Sequence, residues 1–134
     1  AAPQGIVSFE LARTARNAFA ILASWNDTAL LYAAFGLGFD FLFMPLYATA
    51  LSMAVLLAAG RRPGAWQAWG SLLAWGAFGA VLFDVVENIA LFSILLNGAT
   101  DLLAAAAFWC ASLKFGLILL GVGYALLGWW FPQK

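Results

Sequence analysis

An all-α integral membrane bundle is the fold this sequence predicts: three transmembrane helices preceded by an amphipathic helix at the interface. Three observations carry the prediction. Of 134 residues, 66% are hydrophobic and only 9% charged. The mean hydropathy is +0.96. The apolar residues gather into three runs of about 30 residues, long enough to cross a bilayer and separated by short polar loops. A soluble domain has about 45–50% apolar and about 25% charged residues, so a water-soluble fold does not fit. The chain reads as a single membrane domain over residues 1–134, with no internal repeat and no low-complexity tract.

The chain opens Ala1-Ala2-Pro3-Gln4 without a methionine, which leaves open a removed leader or an upstream segment. Residues 6–25 have the period of one amphipathic helix. Advancing 100° per residue puts Val7, Leu11, Ala15, Ala18, Phe19, Leu22 and Trp25 on one side. Glu10, Arg13, Arg16 and Asn17 cluster on the other, too many polar groups for a lone span. This piece reads as a helix lying in the headgroup plane, with a lid over the bundle as the alternative. Asn26-Asp27-Thr28 then caps the first long helix.

The first span is predicted over 29–59. Pro45 inside it removes a backbone donor and frees the carbonyl of Phe41, beside Asp40. Gly36, Asp40, Met44 and Tyr47 share one face of that helix. Gly60-Arg61-Arg62-Pro63-Gly64 is a loop of helix breakers with two cations, and the positive-inside rule makes it cytoplasmic. A second span over 65–96 opens with Trp66 and Trp69 at headgroup level, and Gly76, Ala80 and Asp84 step by four along it. Residues 97–101 form a turn without a cation, so it faces outward. The third span, 102–131, ends near Trp129 and Trp130, at the same interface as Trp66 and Trp69. Both signals give a topology with the N-terminus outside and the C-terminus inside.

Composition removes several function classes. The formal charge is zero, so there is no basic surface for nucleic acid. There is no histidine, which removes imidazole metal sites and every His-based catalytic pair. The lone cysteine, Cys110, sits in an apolar run and reads as a packing residue. No phosphate-binding glycine loop or nucleophile motif is present. No cofactor is predicted.

What remains is a set of polar residues inside the spans. Asp84, Glu87 and Asn88 lie at i, i+3 and i+4 and share a helical face. Asp40 and Lys114 are the internal charges of the other two runs. Counted from the outer ends, Asp40 is 11 residues deep, Glu87 and Asp84 9 and 12, and Lys114 12. An isolated charge at the bilayer centre costs about 3 kcal/mol on insertion scales, so four apart would cost about 12 kcal/mol. The expectation is one inward cluster of Asp40, Tyr47, Asp84, Glu87, Asn88 and Lys114. Lys114 would pair with one or two acids, and another acid would hold a proton.

Two readings of the cluster stay open. It either locks the helices in register or works as a site, since intramembrane ionisable groups mark pathways and pockets. Asp40, Asp84 and Glu87 would suit an oxygen-seeking cation, but Lys114 opposes a metal and none is expected. The segments GIVSFELA, GLGFDFLFMPLYA, FDVVENIAL and ASLKFGL resemble a family of small, uncharacterised polytopic membrane proteins of bacteria. Its pattern matches Glu10, Asp40, Asp84, Glu87, Asn88 and Lys114, with D-x-x-E-N the most specific part. The resemblance implies a bacterial inner-membrane location and a further helix before residue 1, but no particular activity. The expected function is therefore an accessory or binding subunit, in contact with the lipid bilayer and with a membrane-protein partner or its own copies. The alternative is a lipid-active enzyme or a proton- or ion-coupled carrier using the cluster.

Overall fold

Long apolar runs form helices in lipid because every backbone N–H and C=O must be satisfied within the segment. The computed structural model describes residues 4–130, and its regular elements are all helices. These are α1 (Ile6–Glu10), α2 (Ala15–Ala23), α3 (Asp27–Ala59), α4 (Ala65–Asn97) and α5 (Asp101–Trp130). The last three are long and apolar enough to cross a membrane, which marks the chain as a membrane protein. Their limits fall within two residues of the predicted spans, and α3 continues through Pro45. Position 131, the expected end of the third span, and Ala1, Ala2 and Pro3 lie outside the described residues.

The ends are set by local chemistry. Asn26 Oδ1 accepts from the Ala29 N–H at 2.9 Å and caps α3, while Thr100 Oγ1 accepts from the Leu103 N–H and caps α5. Gly98 closes α4 in the left-handed region, at φ 91°, where its N–H reaches back to the Ile94 carbonyl.

The single amphipathic helix expected over 6–25 is corrected: the segment is two helices. Arg13 adopts φ 63°, which ends any right-handed helical path. Thr14 then starts α2, its Oγ1 accepting from the Asn17 N–H, while Asn17 Nδ2 donates to the Ala12 carbonyl. With the axis broken, one helical wheel no longer describes both pieces. Of the expected apolar side, Ala18 and Trp25 are buried, while Val7, Leu11 and Phe19 are exposed, Phe19 at 70%. Phe9, Glu10, Ala12 and Ile21, which lie off that side, are buried as well.

The chain divides into two compact units, residues 1–43 with 83–112, and residues 44–82 with 113–134. In the first, α1 and α2 pack into one apolar core with Leu37 of α3, Ala90, Leu91 and Ile94 of α4, and Ala104 and Ala107 of α5. Phe9 meets Trp25 edge-on at 5.6 Å, and Trp25 Nε1 donates to the Gln4 carbonyl at 2.7 Å. Asp101, in the first turn of α5, accepts the Ala15 N–H at 2.8 Å and so closes the start of α2.

The second unit is built by close approach. Its core holds Val55, Ala58, Ala59, Ala74, Tyr124 and Ala125. A Cβ on Gly128 would lie 2.7 Å from Ala58 Cβ, and one on Gly70 would meet Ala59 Cβ and stand 2.6 Å from Tyr124 Oη. Only glycine allows those helices so near. Trp66 stacks on Tyr124 at 4.2 Å, and Tyr124 Oη donates to the Trp66 carbonyl at 2.6 Å.

Charge is divided as sharply as packing. The first unit contains Glu10, Asp27, Asp40, Asp84, Glu87 and Asp101 against Arg13 and Arg16, a formal charge of −4. Among the described residues the second contains Arg61, Arg62 and Lys114 and no Asp or Glu, a formal charge of +3.

Candidate functional site

The site begins as a stripe on α4. Spacing of three and four residues places Asp84, Glu87 and Asn88 on one face, and all three are buried, at 5%, 0% and 1% exposure. Leu91 and Ile94 continue the same buried line, and Ala77 and Ala80 precede it. The stripe is thus apolar at both ends and polar in the middle. In the first unit, Asn88 Nδ2 donates to Asp40 Oδ2 of α3 at 3.4 Å. Two of the expected partners are therefore brought together across helices. Asp40 itself is half-buried. Asn88 Oδ1 is buried and accepts no hydrogen bond among the described residues.

Glu10 is the residue that the helical wheel misplaces. Expected on the wet face of an in-plane helix, it is only 6% exposed, next to Phe9 in the first unit. The break at Arg13 turns α1 so that this face points into protein. A resemblance built on the ELA segment is the one signal in the sequence that singles it out. With Asp84 and Glu87, it makes three buried carboxylic acids in one unit.

Tyr47 and Lys114 belong to the second unit. Tyr47 is half-buried, and Lys114 is buried at 6%, its Nζ 4.8 Å from the ring centroid of Phe115. The face expected for α3 is partly revised. Met44 is buried, but Gly36 is exposed, with nothing within 4 Å of where a Cβ would stand. Leu37 takes the inward position instead, because the buried line passes one residue further along the helix.

Chemically, these side chains offer carboxyl and amide oxygens in a setting from which water is largely removed. Such groups can brace helices by hydrogen bonds, or exchange protons with a guest that reaches them. Among the described residues, no group of three or more His, Cys, Asp and Glu stands ready to hold a metal ion. A cavity of about 510 Å³ opens beside Trp25, Asn26 and Tyr32 at the start of α3, and no carboxylate lines it.

Fold and site define a class: a helical membrane protein with carboxylic acids buried inside it. Comparison with protein-family models, curated proteins and solved structures finds no match to this chain.

Proposed function

We propose that the chain is an accessory or binding subunit of a bacterial inner-membrane assembly, in which the buried acids and Asn88 hold the helices in register. The observation that supports this reading is how completely the polar face of α4 is covered. A catalytic acid has to touch its substrate, whereas Glu87 and Asn88 are surrounded by protein. Outward, the long helices present large apolar side chains such as Phe35, Phe39, Leu46 and Trp75, suited to lipid, to a larger membrane protein or to a second copy. The proposed orientation keeps the N-terminus outside and the Arg61–Arg62 loop and C-terminus in the cytoplasm.

One observation favours the second reading, a lipid-active enzyme or proton- or ion-coupled carrier: Asp40 is only half-buried, so one acid of the set is within reach of a guest. Mild extraction from native membranes and a mass measurement on the product separate the two. The subunit reading expects an assembly larger than one chain, and Glu87→Gln or Lys114→Met lowering its yield. A single chain that carries a small molecule, and loses it in those variants while still folding, would sink the subunit reading.

A further inference from the structure

The loop between α3 and α4 holds two guanidinium groups, each placed over an indole. Arg61 Cζ lies 4.6 Å from the ring centroid of Trp129, and Arg62 Cζ lies 5.4 Å from that of Trp66. Trp66 is fixed in turn by its stack on Tyr124 and by donation from its Nε1 to the Ala58 carbonyl at 3.3 Å. Arg61 Nη1 is buried with no acceptor among the described residues, while the residue as a whole stays half-exposed. That side chain therefore carries a donor left without an acceptor among the described residues, on a residue still partly open to its surroundings. A guanidinium stacked on an aromatic ring keeps its planar fork of N–H donors, which matches two oxygens of a phosphate.

Depth and charge point to where such a phosphate comes from. α3 and α4 have 33 residues each, so at 1.5 Å per residue they run about 50 Å, beyond a hydrocarbon core of about 30 Å. The loop joining them therefore reaches headgroup depth, where tryptophan is also at home. Among its described residues the second unit carries +3 and has no Asp or Glu, so its composition favours an anion delivered by the membrane. We propose that Arg61 and Arg62, seated on Trp129 and Trp66, form a site for the headgroup phosphate of an anionic phospholipid.

The test is native mass spectrometry of the full chain released from vesicles of phosphatidylcholine mixed with phosphatidylglycerol. The wild type is expected to retain phosphatidylglycerol preferentially. The Arg61→Gln/Arg62→Gln pair should lose about thirtyfold of that preference, since each surface arginine contributes about 1 kcal/mol toward anionic lipid. Arg13→Gln/Arg16→Gln should keep it. The Arg61→Lys/Arg62→Lys pair retains both charges without the planar fork and should fall well below wild type. Equal retention of the two lipids by the wild type overturns the proposal, as does a wild-type preference in either loop variant. Displacement of the lipid by inorganic phosphate alone overturns the lipid assignment in favour of a free anion. Should the glutamine pair not fold, the wild-type ratio and the lysine pair decide.

Discussion

The two units hold their helices together by different means. In the first, α3 and α4 are joined through Asn88 and Asp40, and acids lie buried among apolar side chains. In the second, Gly70 and Gly128 bring helices to backbone distance, and the Trp66–Tyr124 stack closes the loop end. Lipid tails are as apolar as leucine, so the hydrophobic effect gives helices in a bilayer little reason to associate. Polar contacts and close packing are the two remedies: the first unit relies on buried polar side chains, and the second adds glycine contacts to the hydrogen bonds of Tyr124 and Trp66. Polar contacts specify register but are costly when one member is lost. Close packing tolerates no added atoms.

That contrast can be broken by substitution. Removing the side chain of Glu87, fully buried in the first unit, leaves a void. Glu87→Ala should therefore cost about 3 kcal/mol, read as an earlier midpoint in detergent-driven unfolding. A midpoint within error of wild type would mean that buried acids do not hold the first unit. In the second unit the damaging change is an added methyl. Gly128→Ala and Gly70→Ala should each cost about 2 kcal/mol by overpacking in the same assay, because Ala58 and Ala59 have no flexible end to move aside.

A smaller effect separates the N-terminal pieces from the rest. Thr14→Ala removes the side-chain cap of α2 and should cost about 1 kcal/mol, seen as faster amide exchange over residues 15–23. Smallest, and opposite in sign, is Gly36→Ala. A Cβ there meets nothing within 4 Å, so the gain in helix propensity should stabilise α3 by about 0.5–1 kcal/mol. If Gly36→Ala and Gly128→Ala shifted the midpoint alike, glycine would not be marking close approach in the second unit.

The spans are legible in the sequence because hydropathy and breakers are local signals. Gly60 to Gly64 and Asn97 to Thr100 bound the long helices in sequence as they do in space. Burial of Asp84, Glu87 and Asn88 follows from their shared face and the cost of charge in lipid. The N-terminal segment defeats a helical wheel because the wheel assumes one axis. A left-handed residue at Arg13 leaves no trace in the period, although Thr14 with Asn17 three residues later is a recognisable helix start. The glycine contacts of the second unit are also hidden from the sequence. Gly70 and Gly36 look alike there, and only the position of Ala59 and Tyr124 makes the first indispensable.

The carboxylate of Asp101 accepts the amide of Ala15, 86 positions earlier in the chain, and Ala104 and Ala107 supply part of the surface on which α1 and α2 rest. During synthesis the amino-terminal helices emerge long before that surface does. Their docking is therefore a late event, completed only after the last membrane helix has begun to insert. A ribosome-stalled chain ending before residue 101 should leave residues 6–25 open to protease, and protection should arrive with α5.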